Sequence, residues 1–429
     1  MSLRCRSVRM LLCSLALVAG FSGTLSAAEI HFQSDTLLRG FTRDTSIASE
    51  ETVAPLYEYL QLDSGALKNH GLSFHFYGWG RGDLADSGFY RDDTAGEVLY
   101  GYLQYTKPFS NLIGRLGRIH VFEGVANETL DGFWLKSDLG NNISGSVYAG
   151  LPVGLSTTDS RSGDSIYGGR ISHRSQGSYE AGVSFKSIRN DSDTAESMLG
   201  IDLAVFALDK VSLYGNSVLN LETGGFAEHS YEARFAYQDI QFRTYAEMFN
   251  FEDYFDTGAN AVNPFRILAG QDDQLLVVGV DSTWKRTDTW SYGGKLKFYH
   301  ADSNDTSTYA SLLTVWHGGK GANQVGGEIG YLAAGAGIND FILLRLYGYW
   351  DGLAAALPVD FVSADLLYTL YDQPIYGEDN SVFVSLGAGQ SFLHDAFRIK
   401  LSGDFSQDPF FDSDLRAMLT VTYTYDRSL

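Results

Sequence analysis

Nine histidines are the first residues to weigh for chemistry: His31, His70, His75, His120, His173, His229, His300, His317 and His394. No two have the spacing of a local zinc pair, and the two cysteines, Cys5 and Cys13, sit at the extreme N-terminus. The chain has no GxSxG nucleophile elbow, no Walker phosphate loop and no CxxCH for covalent haem. The acidic pairs Asp92-Asp93 and Asp272-Asp273 lack the rest of a calcium loop and read as solvated loop charge. These residue types point to no catalytic centre, no metal and no cofactor of the chain's own, so the expected class is not an enzyme. A different set of charges is placed regularly: Arg81, Arg234, Arg243, Lys295, Lys297, Arg398 and Lys400, with Glu232 and Glu247 beside some of them. Each falls on the polar side of a segment that alternates polar and apolar residues. Charges on the inside of a pore select ions and orient solutes. Equally, such residues form ion pairs across neighbouring strands and fill the lumen. Both readings stay open, and the mixture of signs predicts weak selectivity under the first.

The elements that would position these charges are strands. In 396–405, Phe397, Ile399, Leu401 and Phe405 share one face, and Arg398, Lys400, Ser402 and Asp404 the other. In 415–425, Leu415, Ala417, Leu419, Val421, Tyr423 and Tyr425 alternate with polar residues and Met418. Side chains along a strand point alternately to opposite faces, so each strand has an oily side and a polar side. The pattern recurs in 72–81, 227–237, 241–248 and 295–299. Leu72, Phe74, Phe76, Ala227, Tyr231, Phe235, Phe242, Ala246, Leu296 and Phe298 are the expected lipid-facing residues. Segments of this length separated by polar turns predict an all-β fold, a single antiparallel transmembrane β-barrel over 29–429 with about 18–22 strands. No apolar run beyond the N-terminus is long enough for a spanning helix. All seven prolines fall outside the alternating cores, as proline's missing N–H requires. Tyr100, Tyr102, Tyr105 and Phe109, and later Tyr347, Tyr349 and Trp350, are expected in the aromatic girdles at the lipid–water boundary. Longer loops are expected at 83–95, 151–163, 251–273 and 301–307. Segment 251–273 either folds inward as a constriction or reaches outward.

The N-terminus reads as an export signal. Arg4, Arg6 and Arg9 precede the apolar stretch Met10 to Phe21, and Ser26-Ala27-Ala28 offers a small-residue cleavage site. Removal of 1–28 would take both cysteines and three arginines. The whole chain carries a formal charge of −21, and the exported part is three units more negative. So acidic a chain is ill suited to nucleic acid, which is held by basic phosphate contacts.

The stretch Arg115-Leu116-Gly117-Arg118-Ile119-His120-Val121-Phe122-Glu123-Gly124-Val125-Ala126, continuing to Leu130-Asp131-Gly132, carries a family resemblance. Tyr57-Glu58-Tyr59-Leu60, Phe76-Tyr77-Gly78-Trp79-Gly80-Arg81 and Gly163-Asp164-Ser165-Ile166-Tyr167-Gly168-Gly169-Arg170 belong to it too. Together they resemble porin-like outer-membrane barrels of metal-respiring deltaproteobacteria, some of which partner multihaem cytochromes in electron conduits. The chain departs from one conduit-barrel family in having no CxxC near its mature N-terminus, and it ends on Asp426-Arg427-Ser428-Leu429 rather than on an aromatic residue. The expected site is the outer membrane of a Gram-negative bacterium, with membrane lipid as neighbour. Two functions are carried forward. One is a porin passing small hydrophilic solutes or ions. The other, implied by the resemblance, is a barrel scaffold sheathing a multihaem cytochrome, whose haem would belong to the partner.

Overall fold

The computed structural model describes residues 29–427 apart from 44–50, 69, 86–87, 155–162, 192, 209, 256–273, 303, 319–322, 336–338 and 354–358. The export signal, Asp272-Asp273 and most of 251–273 lie outside the described residues. Alternation of apolar and polar residues makes nearly every described segment a strand, and the strands form one 23-stranded antiparallel sheet. Strand β1 (Glu29–Arg43) pairs with β3 (Pro55–Gly65) on one side. On the other it pairs with β23 (Phe411–Arg427), from Ile30↔Arg427 to Phe41↔Arg416, and this seam closes the barrel. The three-residue β2 (Glu51–Val53) only extends the end of β1. The barrel wall therefore has 22 strands, each paired with its neighbour in the chain.

The apolar side of each strand faces outward. Leu312 and Leu415 are both 69 % exposed, as expected of residues that meet lipid rather than a protein core. A closed barrel satisfies every backbone polar group without water, which makes it one of two structures able to cross a bilayer and the one used in the bacterial outer membrane. Tight hairpins join many strands. Asn141-Asn142 and Tyr376-Gly377 hold positive φ at both central positions, the turn whose twist matches paired strands. Pro55 opens β3, Pro152 closes β8 (Ile143–Pro152), and Pro374 sits next to last in β20 (Phe361–Ile375). The segment 301–307 falls largely within strands: β16 (Trp290–Ala301) ends on its first residue and β17 (Asn304–His317) begins three positions on. The girdle expectation divides by pleat. Tyr105 and Trp350 face outward, whereas Tyr100, Tyr102, Tyr347 and Tyr349 share the inner face with the charges opposite them. Ala227 is the extra residue of a bulge in β13 (Phe226–Tyr237) and is fully buried, so Phe226 takes the outward place.

One region departs from a simple barrel. Strand β5 (Thr94–Thr106) pairs with β6 (Ile113–Glu123) only between Thr106↔Ile113 and Gly101↔Arg118. Beyond that point β6 leaves the wall. Gly117 permits the departure: its φ is +132°, and a Cβ there would lie 2.3 Å from the Gly101 carbonyl oxygen. Arg118 fills the gap, donating to both Asp131 oxygens at 2.8 Å and to the Val98 carbonyl at 3.1 Å. The hairpin of β6 and β7 (Ala126–Gly140) leans across the inside of β8 and β9 (Asp164–Ser175). Its tip docks on β10 (Tyr179–Asn190), where the Val125 N–H donates to Ser184 Oγ at 3.0 Å. Ile119, Val121, Leu130, Tyr148 and Ile166 are almost wholly buried between hairpin and wall, with Ile188 beside them. The one extended hydrophobic core of the described residues thus lies inside the barrel.

Candidate functional site

Among the described residues, most ion pairs of the fold lie on the inner face of the barrel. On β13 and β14 (Ile240–Asn250) the pleat sets Glu232 between two arginines. Arg234 pairs with one carboxylate oxygen and Arg243 donates to the other at 2.5 Å. Arg243 also reaches Asp281 of β15 (Gln274–Lys285) at 3.3 Å. On β16, Lys295 donates to Glu328 of β18 (Gln324–Ala333) at 3.0 Å, across the intervening strand. Ser311 Oγ donates to the same carboxylate at 2.7 Å. Lys297 lies 6.0 Å from the Tyr245 ring. On β22 (Phe397–Asp408), Arg398 donates to Ser391 Oγ at 3.4 Å. Among the described residues, Lys400, Lys297 and Glu247 have no ion-pair partner.

Arg81, at the end of β4 (Gly71–Asp83), is not an open pore charge. The connection between β4 and β5 folds inward and lays the Tyr90 ring over its guanidinium, 3.6 Å from centre to centre. Arg81 also donates to the Asp92 carbonyl at 3.0 Å. Burial and a hydrogen bond with Tyr57 push the Tyr90 phenol up to about 12.

A second group was not singled out from the sequence. Lys186 donates to Glu128 at 2.9 Å and pairs with Glu196 of β11 (Asp193–Leu208). Beside it, Arg170 donates to Asp202 at 3.0 and 2.5 Å and to Glu180 at 3.1 Å. Strict alternation in 164–175 and 179–190 places Arg170 and Lys186 on the polar side. Gly168-Gly169 and the inward-facing Ile166 and Ile188 blur that signal. The described start of 251–273 is a short helix, α1 (Phe251–Phe255), and it lies over this group. Thr223 donates to Asp253 Oδ1 at 2.6 Å, and Asn220 donates to the Asp253 carbonyl at 2.7 Å. Helix α1 thereby places Tyr254 at a cavity of about 710 Å3 lined also by Glu128, Lys186, Glu196 and Glu228. Burial raises the Tyr254 phenol above its ordinary value.

The inner wall of β3 to β5 carries a row of aromatic rings, with the Asp63–His75 pair at its lower end. Ring centres run from Tyr57 to Tyr59 (6.4 Å), Tyr59 to Tyr77 (6.3 Å), Tyr77 to Tyr100 (5.6 Å) and Tyr100 to Tyr102 (5.7 Å). Arg115 then sits between Tyr102 and Trp134, at 5.2 and 4.8 Å. At the rim, the Tyr57 and Tyr90 hydroxyls are 3.2 Å apart, and Tyr90 packs on Phe89 at 4.9 Å.

No family model matches the chain, and no curated protein matches it in sequence. Among solved structures, it is similar to OpdK of Pseudomonas aeruginosa crystallised with vanillate, at 10 % identity and a TM-score of 0.46, over 94 % of this chain and 100 % of that one. It is also similar to OccAB4 of Acinetobacter baumannii, at 10 % identity and a TM-score of 0.44, over 94 % and 99 % of the two chains. A BenF-like porin from Pseudomonas fluorescens Pf-5 aligns at 9 % identity and a TM-score of 0.44, over 94 % and 100 %.

Proposed function

We propose that this protein is a channel of the Gram-negative outer membrane that passes small hydrophilic solutes and ions by diffusion through the barrel. One observation supports the reading above the others. Charged side chains on the inner wall stay accessible although they lie inside the barrel: Arg234 is 61 %, Arg243 43 % and Arg345 42 % exposed. Charges so placed face water, and a barrel of 22 strands has room for an aqueous lumen. Most of these cations hold carboxylates on neighbouring strands. Arg345, for example, donates to both Asp365 oxygens, at 3.0 and 2.5 Å. Pairing of this kind leaves little net field, so selectivity by charge is weak.

The alternative role, a sheath around a multihaem cytochrome, is less favoured by the same geometry. The β6–β7 hairpin, α1 and the Tyr90 segment all lie within the lumen, where a threaded partner would need space. Reconstitution of the purified barrel into a planar bilayer tests the channel. Ohmic single-channel steps with modest anion–cation discrimination are expected. A folded barrel that leaves the bilayer as insulating as before would overturn the reading.

A further inference from the structure

From the rings on β3 to β5 we infer that the lumen holds a binding track for a linear oligosaccharide. This rests on the channel reading and names the class of solute that the channel would favour. The rings continue from the rim, at Phe89 and Tyr90, down to Tyr102. From the level of Tyr57 to that of Asp63, which pairs opposite His75, the strand advances about 20 Å at roughly 3.4 Å per residue. That is the length of several sugar rings, not of a single small solute. Tyr59, Tyr77 and Tyr100 remain half-buried rather than sealed, so their rings border the lumen.

The groups beside the track fit a neutral, hydroxyl-rich ligand. Two carboxylate–amide pairs flank it in parallel. Gln33 donates to Asp35 at 2.7 Å, and Gln61 donates to Asp63 at 2.8 Å. Gln33 and Gln61 are direct cross-strand partners. On the far side Arg115 donates to Gln104 at 2.8 Å. Each pair keeps further lone pairs and N–H groups for a ligand, and carboxylates and amides bind vicinal hydroxyls well. Charges of both signs lie beside it: Asp63 accepts from His75 at 2.6 Å, Arg81 is capped by Tyr90, and Arg39 lies near Tyr59. No strong field of one sign is left to draw a charged aromatic ring. Rings that offer apolar contact, with paired hydrogen-bonding groups alongside, match the C–H faces and hydroxyl rims of sugars.

The test uses the intact barrel in detergent and in planar bilayers. The probes are linear hexamers of α-1,4-glucose, β-1,4-glucose, β-1,4-xylose and β-1,4-N-acetylglucosamine, each with its monomer, and benzoate and benzylammonium. Calorimetric binding of at least one hexamer, tighter than its monomer, is expected, with transient blocking of the ion current by the same hexamer. The double variant Tyr59→Ala/Tyr77→Ala should weaken binding by at least about tenfold, whereas Tyr59→Phe/Tyr77→Phe, which keeps both rings, should stay within about threefold. Heat-modifiable migration on gels confirms that each variant is folded. A conducting barrel that binds no hexamer, binds benzoate or benzylammonium instead, or binds a hexamer equally in the alanine variant would overturn the track. A barrel that binds a hexamer but passes no current would retain the track and overturn the channel.

Discussion

Lys186 offers a quantitative test of how this lumen is held together. Its side chain is only 8 % exposed, and its ammonium is shared by Glu128 and Glu196, which are 29 % and 23 % exposed. Lys186→Met keeps a comparable stem and removes the charge. Two carboxylates are then left together with no cation between them. Removing one partner of a buried ion pair costs about 3–5 kcal/mol. Here both carboxylates keep part of their surface in water, which lowers the expected loss to about 2–3 kcal/mol. The assay is urea unfolding in liposomes, followed by the fraction that still shows heat-modifiable migration. With an m-value of about 2–3 kcal/mol/M, the midpoint should fall by about 1 M. Adding Glu128→Gln and Glu196→Gln to the same chain should recover most of that shift, since the repulsion is gone and the amides can hydrogen-bond. The reasoning fails if Lys186→Met unfolds at the wild-type midpoint, or if the triple variant falls as far as the single one.

Three further outcomes are expected. Leu312→Arg, about half-way along β17 on the lipid side, should lose about 2–4 kcal/mol in the same assay, and an unchanged midpoint would contradict the outward assignment. Gly124→Val should release the hairpin tip. Its φ of +58° is left-handed, which alone costs a non-glycine residue roughly 1–2 kcal/mol, and a Cβ there would lie 2.1 Å from Ser184 Oγ. Single-channel conductance should therefore rise, and an unaltered conductance would show that the tip does not narrow the path. The connection after β18 should loosen in acid. Asp340 accepts from the Tyr331 hydroxyl at 2.7 Å and from the Ala334 N–H at 2.8 Å, and these bonds hold its carboxyl below the ordinary value of 3.8. A lowered value means that the stabilisation is complete above 3.8 and is lost as pH falls below it. Hydrogen exchange at the Ala334 amide, corrected for intrinsic rate, should keep its protection from pH 6 down to about pH 4 and lose it as the pH is taken well below 3.8, and protection that stays constant throughout the acid range would refute the bond's role.

Much of the fold was legible because one physical rule governs most of the chain. A strand between lipid and water must alternate, and Leu296, Lys297 and Phe298 do so without interruption, as do Ile399, Lys400 and Leu401. The last two strands, β22 and β23, could therefore be placed to within a few residues. The strand count fell within the expected range for the same reason. Aromatic side chains were harder to place, because the pleat and not the residue type decides which way a ring points. Tyr105 faces outward at a boundary, while Tyr102, three residues earlier and on the opposite side of the pleat, stacks at 4.9 Å on inward-facing His75. A tyrosine suits either solvent, with an apolar body and a polar tip. Its frequency suggested girdles, and only the register showed a row of rings on the inner wall.

The inward hairpin was hidden for a different reason. Ile119, Val121 and Leu130 occupy positions that alternation assigns to the lumen, yet they are apolar and pack back against the wall, while the other side of the hairpin carries His120 and Thr129. Read by polarity alone, the segment inverts the rule that holds elsewhere. The inversion is resolved only by contacts with strands far along the chain: Ser184, Ile166 and Ile188 supply the surface that buries the hairpin. Two glycines make those contacts sterically attainable, Gly117 where the strand leaves the wall and Gly124 where the tip meets Ser184. Lumen residues of this barrel thus fall into three regimes. Ion pairs line the wall from β9 to β11 and from β13 to β20, rings line β3 to β5, and an apolar core stands between the rings and the cavity below α1. A solute following the rings would pass the core on one side and the paired charges on the other. The division of the inner wall, more than the net charge of the chain, is what should set which solutes pass.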